Sequence, residues 1–317
     1  MKFYYILFFL FASLYGHAQP NSKPVFKVIP LGIKGGIDES NLSSYMLAVE
    51  GTDDYVCLDA GTLHSGIRKA ILLGTLKGDA TAILRKDIKG YLISHAHLDH
   101  VAGLIINSPD DSSKNIYGLP SCLYILKEKY FSWKSWANFA DEGEAPLLKK
   151  YHYVNLSPDT ETIITNTMMN VKAFSLSHSD PYQSSAFLIR HADNYILYLG
   201  DTGADEMEKS GKLHLLWQQV AQIIKDKKMA AIFIEVSYPD EQPVNKLFGH
   251  LRPDLLIKEM NDLSRLTGID ALKNLPVVIT HMKPSGKNEM IIKEQLLKEN
   301  SLHLKLIFPQ QGRLMKF

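Results

Sequence analysis

His95-Ala96-His97-Leu98-Asp99-His100 decides how this chain is read. The residues before it, Gly90-Tyr91-Leu92-Ile93-Ser94, are apolar and closed by a small polar residue, which predicts a short buried strand. Side chains at i and i+2 leave a strand on one face, so His95 and His97 are expected to point the same way where the strand ends. Leu98–Ile106 then reads as a helix start, with Asp99 and His100 in its first turn, aimed at a neighbouring point. One short loop thus offers two groups of ligands. A lone histidine is usually a hydrogen-bonded surface or core residue. Four ligand-type residues at one strand-to-helix junction point to metal instead. Mixed imidazole and carboxylate donors suit zinc, manganese or iron.

Further ligand-type residues stand at the ends of other predicted strands. His178 follows the alternating Val171–Ser177, Asp201 follows the apolar Tyr195–Gly200, and His281 follows Leu275–Thr280. Alone, Asp201 reads as a cap or turn residue and His281 as a strand-end histidine. Together with the first motif they extend it, because strand ends are where a rigid scaffold presents a site.

In order and spacing, these residues resemble the metallo-β-lactamase superfamily. The resemblance implies that His95, His97 and His178 hold one divalent metal, that Asp99, His100 and His281 hold a second, and that Asp201 bridges them. Aspartate at the bridge is similar to the phosphodiesterase, ribonuclease Z and glyoxalase branches. The flanking blocks are more specific. His95–Pro109, Ile116–Pro120, Leu58–Thr62, Ile232–Ser237, Leu247–Pro253 and Thr280–Pro284 resemble class II 3′,5′-cyclic-nucleotide phosphodiesterases. They run from about residue 25 to the C-terminus. Ala96 stands where serine is frequent in the family, and Tyr130–Glu144 matches the family pattern only loosely. That segment is expected to line the substrate cleft. The resemblance implies a four-layer αβ/βα sandwich.

Composition bounds the reading. Lys2 followed by Phe3–Tyr15 and the small residues Gly16 and Ala18 resembles a signal peptide over residues 1–18. The apolar run is too short to span a bilayer, and no cysteine follows Ala18 to carry a lipid. Residues 19–317 then form a single domain, exported to the periplasm or beyond, with no stable membrane anchor. Removing residues 1–18 takes one of the 35 basic residues and none of the 34 acidic ones, leaving no net charge. Proteins gripping a long polyanion carry a basic excess, so a nucleic acid polymer is not the expected partner. A small cyclic nucleotide is. Cys57 and Cys122 lack metal-type spacing.

Predicted strands are Val25–Ile33, Ser44–Val49, Tyr55–Asp59, Ile163–Ser177, Ser185–Arg190, Tyr195–Leu199, Ala231–Glu235, Val277–Thr280, Lys305–Phe308 and Arg313–Phe317. Predicted helices are Ile67–Leu73, Cys122–Tyr130, Leu213–Lys227, Pro253–Leu266 and Asn288–Lys298.

Two divalent metals, zinc by default, can lower the pKa of a bridging water and offset charge in displacement at phosphorus. The bridging hydroxide is the expected nucleophile, with Asp99 counted beside His250 as catalytic. His250, in Gly249-His250-Leu251, resembles the Gly-His motif of ribonuclease Z, where such a histidine acts at the leaving group. Glu235 and Asp59 end strands and read either as caps or as partners orienting ligand imidazoles. Lys283 reads equally as a phosphate contact or a solvated lysine. Trp133, Trp136 and Phe139 read as packing rather than base-stacking residues. The rival functions are another hydrolase on the same scaffold (ribonuclease Z-like phosphodiesterase, lactonase or thioesterase) and a non-catalytic nucleotide-binding protein.

Overall fold

The computed structural model describes residues 23–158 and 160–317, so the expected signal peptide lies outside the described residues. Strands β1 (Phe26–Gly32), β2 (Ser44–Val49) and β3 (Tyr55–Leu58) open the chain. Helices α1 (His64–Leu72) and α2 (Ala80–Lys86), β4 (Ile88–Leu92), α3 (Leu98–Asn107), β5 (Lys114–Gly118), α4 (Pro120–Ile125) and β6 (Tyr151–Asn155) complete the first half. The second half runs β7 (Thr162–Ile163), β8 (Asn170–Ser177), β9 (Gln183–His191), β10 (Asn194–Leu199), α5 (Asp205–Glu208), α6 (Lys212–Lys225) and β11 (Met229–Glu235). It continues with α7 (Pro253–Thr267), α8 (Ile269–Leu272), β12 (Pro276–Thr280), α9 (Asn288–Glu299), β13 (Lys305–Ile307) and β14 (Met315–Lys316).

Two 7-stranded sheets result, ordered β14-β1-β2-β3-β4-β5-β6 and β13-β12-β11-β10-β9-β8-β7. Tight turns give antiparallel pairs, such as β9 with β10 through Ala192-Asp193. Where helices return the chain, β3 to β6 and β10 to β13 are parallel. Alternation sorts the side chains. In β2, Tyr45 and Leu47 face the second sheet, packing with Phe187, Ile196 and Phe233. Met46 and Ala48 face α1, α2 and α3 through Ile67, Leu84 and Leu104. Trp217 and Val220 of α6 and Met260 and Leu263 of α7 cover the other sheet. The four layers are those the resemblance implied.

Several elements differ from expectation. The strand before the histidine motif ends at Leu92, not Ser94, so His95 and His97 leave a loop rather than a strand. The stretch Ile163–Ser177 breaks into β7 and β8 around a turn in which Asn166 takes φ 61°. Helix Cys122–Tyr130 begins at Pro120 and passes into one π-helical turn, Leu126–Tyr130, which sets the Tyr130 hydroxyl against the Ala96 carbonyl at 3.0 Å. Helix α2 and strands β5 and β6 were not foreseen. Cys57 and Cys122 are free, buried thiols.

Candidate metal centre

Strands β3, β4, β8, β10, β11 and β12 deliver the site from their C-terminal ends. Parallel pairing puts these ends on one rim of the sandwich, where unsatisfied loops can aim side chains inward. His97 caps α3, and Asp99 and His100 fill its first turn as expected.

The seven expected ligands meet there. His95 Nε2 lies 3.1 Å from His97 Nδ1, and His178 Nε2 lies 3.4 Å from that same atom. Asp201 Oδ2 stands 3.7 Å from His95 Nε2 and 3.8 Å from His178 Nε2. It is also 3.2 Å from His281 Nε2, while Oδ1 is 3.3 Å from His100 Nε2. Asp99 Oδ2 is 3.1 Å from His281 Nε2. Asp201 therefore sits between the two histidine groups. His250 Nδ1 approaches Asp201 Oδ2 to 3.8 Å, so Asp201, His250 and His281 form a third converging set.

The donor set fits divalent cations. Lone pairs of His95, His97 and His178 face one another, an arrangement that needs a cation or a shared proton between them. His100 Nε2 is buried with no hydrogen-bond partner, a state native interiors avoid unless something else satisfies the atom. Three outward nitrogens are engaged: His100 Nδ1 donates to Asp59 at 2.8 Å, His178 Nδ1 to the Gly249 carbonyl at 2.8 Å, and His281 Nδ1 to Ser237 Oγ at 2.9 Å. Such bonds fix ring orientation and leave the inner nitrogen for metal.

Electrostatics agree at the His95–His97 group, whereas at His100 burial is outweighed by the Asp201 and Asp59 carboxylates, which raise the imidazole well above its usual range. Burial, then neighbouring imidazoles, lowers His95 well below its usual range and takes His97 down to about 4. Both are neutral at pH 7, the form that binds metal. Burial would raise Asp201, but His281 and His100 hold it well down. Burial takes His250 down to about 4 and lifts Glu235 to about 7, the latter with help from the Asp201 charge.

The backbone is strained where it aims these groups. Asp59 (φ 55°) and His281 (φ 59°) occupy the left-handed region, which costs a non-glycine residue about 1–3 kcal/mol. Asp59 is held there by four donors: Ser94 N at 2.7 Å, Ser94 Oγ at 2.7 Å, Tyr198 Oη at 2.6 Å and His100 Nδ1 at 2.8 Å. It orients a site imidazole, one of its two expected roles. Glu235 instead shares a hydrogen bond with His250 Nδ1 at 2.7 Å and accepts from Ser237 Oγ at 2.6 Å and from Thr202 N at 3.0 Å. It holds the candidate acid.

Other contributors went unforeseen. Tyr182 stacks on His97 with centroids 4.4 Å apart. Ser237 joins Glu235 to His281. A Cβ at Gly35 would lie 2.2 Å from the His281 ring, so only glycine fits. Gly36 N donates to Asp99 Oδ2 at 2.9 Å. Of the segment expected to line the cleft, Tyr130 touches the histidine loop. Trp133 and Trp136 bond to Pro146 O and Ser108 Oγ, which is local packing.

The family model for class-II cAMP phosphodiesterases matches residues 25–312. The chain belongs to this family. Among its relatives, the 3′,5′-cyclic-nucleotide phosphodiesterase of Aliivibrio fischeri is 42% identical, over 92% of this chain and 93% of that protein. The probable 3′,5′-cyclic-nucleotide phosphodiesterase of Yersinia pestis is 38% identical, over 98% and 92%. The crystal structure of unliganded yeast PDE1 superposes with a TM-score of 0.82 at 23% identity, over 93% of this chain and all 100% of that one. A metallo-β-lactamase-fold protein of Bacillus subtilis gives 0.62 at 14%, over 93% and 100%. Those two likenesses establish the fold. The phosphodiesterase thus has the metallo-β-lactamase architecture and a His/Asp cluster of divalent-metal character.

One expectation follows from Asp59. Asp59→Asn keeps the volume but turns an amide N–H toward Tyr198, Ser94 and His100, all of them donors. Metal affinity of this phosphodiesterase variant should fall about 10–100-fold, the usual cost of losing a partner behind a ligand. Competition with a chromogenic chelator measures it. Unchanged affinity would return Asp59 to a capping role.

Proposed function

We propose that this phosphodiesterase opens cAMP or cGMP to the nucleoside 5′-monophosphate with two divalent cations, zinc by default. His95, His97 and His178 would hold one, Asp99, His100 and His281 the other, with Asp201 between. The position of Asp201 between the two histidine groups carries this reading. When bound, such a metal pair supplies an acidified water and offsets charge on the phosphate oxygens. The residues supply the rest. Asp201 and Asp99 fix the pair by charge. Asp59 and Ser237 stop His100 and His281 from rotating. Burial raises Glu235 and lowers His250, so the proton between them at Nδ1 stays with Glu235, and the neutral imidazole turns Nε2–H to the cleft as the proton source for the 3′ leaving oxygen.

A substrate panel on the metal-loaded protein tests the reading, with cAMP, cGMP, bis(p-nitrophenyl) phosphate, a lactone and a thioester. Cyclic nucleotides should lead, and elemental analysis should give about two metals per chain. A lactone or thioester turned over fastest would reject the reading.

We also propose export, on the character of residues 1–18. Protein recovered from its source should begin at Gln19 in N-terminal sequencing. Cytoplasmic protein retaining Met1 would overturn this.

A further inference from the structure

Lys283 stands apart from the other cations near the cleft. Its backbone N–H donates to the Ser237 carbonyl at 3.1 Å, and Ser237 Oγ lies 2.9 Å from His281 Nδ1 and 3.2 Å from His250 Nδ1. The root of Lys283 is thus fastened to the residue that steadies both imidazoles. Its tip is placed as firmly. Nζ sits 5.7 Å from the centroid of Tyr238, a ring inclined 68° to that of His250 with centroids 5.8 Å apart. On the opposite wall, a Cβ at Gly36 would come within 3.7 Å of Nζ, and Gly36 N holds Asp99. The ammonium therefore spans the space between the Asp99 wall and the His250 wall.

Among the described residues, no carboxylate or carbonyl pairs with Nζ of Lys283. Lys34, at the same rim, is paired with Glu289 at 2.8 Å. A half-buried ammonium that has one aromatic face and no fixed counter-ion is a ready partner for an anion entering the cleft. The anion with the right position is the phosphodiester itself.

We propose that Lys283 is a substrate-binding residue, donating a charge-assisted hydrogen bond to a nonbridging phosphoryl oxygen on the His250 side. It moves no proton. The bond tightens as charge grows on that oxygen during attack. The inference rests on the phosphodiesterase reading. It differs from the role of His250 in a measurable way, because every phosphodiester carries this oxygen whatever its leaving group.

Lys283→Met keeps the length of the side chain and its seat on Tyr238 but removes the charge. The metal-loaded protein is assayed with cAMP and bis(p-nitrophenyl) phosphate, and inorganic phosphate is titrated as a competing ligand by calorimetry. A hydrogen bond to a charged group leads us to expect roughly 10–100-fold lower kcat/KM on both diesters alike and weaker phosphate binding. Metal content should be kept, and Lys283→Arg should recover part of the loss. Wild-type turnover and phosphate binding in Lys283→Met would overturn the proposal. So would a loss confined to cAMP. Wild-type protein inactive on cAMP would instead reject the phosphodiesterase reading, and phosphate binding would still decide Lys283. Should the methionine variant lose metal, Lys283→Gln takes its place under the same criteria.

Discussion

Asp201→Ala is expected to strip the protein of metal and turnover together. Asp201 faces His95 and His178 through one oxygen, while His100 meets the other. Among the described residues no other carboxylate reaches both histidine groups, and Asp99 touches only the His281 side. On the two-metal proposal, alanine would remove the charge between the cations as well as a ligand to each. The loss should exceed the roughly 10–100-fold typical of residues that act behind a ligand. Elemental analysis should find well under two metals per chain, and cAMP turnover should drop by more than about a hundredfold. Normal metal content with normal turnover would reject the assignment of the bridge.

His250→Ala tests chemistry rather than assembly. His250 hangs from Glu235, and no metal is assigned to it, so the variant should keep its fold and both metals. A nucleoside alkoxide is a poor leaving group and needs a proton, whereas p-nitrophenolate does not. General acid catalysis contributes typically about 10²–10⁴-fold. cAMP turnover should fall within that range and bis(p-nitrophenyl) phosphate hydrolysis far less. Equal losses would make His250 a phosphate-positioning residue. Loss of metal would move it into the ligand set, a move its 3.8 Å approach to Asp201 makes physically simple.

Much of this was legible in the sequence, for identifiable reasons. Strands β2, β3, β10 and β11 are buried on both faces and read as near-continuous apolar runs. The ligands were legible because they crowd one loop or close such runs. Strand β6, Tyr151-His-Tyr-Val-Asn155, escaped because it lies at the edge of its sheet, with His152 exposed. Helix α2 is a single short stretch whose cap, Asp79, looks like any loop aspartate. Tyr198, Ser237 and Tyr182 carry no local spacing at all. They matter because folding brings β10 against β3, or the loop after β11 against β12, and only the closed sandwich supplies that proximity. By composition alone Gly35-Gly36 is a turn. Its second duty, leaving room for the His281 ring, depends on a residue far along the chain.

The bond from Tyr198 to Asp59 joins two jobs. Tyr198 belongs to the second sheet and packs against Tyr45 and Phe233 in the seam between sheets. Asp59 directly follows β3 of the first sheet and fixes His100. A cation that binds the closed cluster and not the unfolded chain therefore clamps one sheet to the other. Its affinity appears as folding free energy, about 4.1 kcal/mol when free metal is 1,000 times Kd. Chelation should then lower the melting temperature in proportion to the logarithm of free metal, and a melting curve becomes a metal sensor. Tyr198→Phe should blunt that response, because the seam would no longer register what happens at His100.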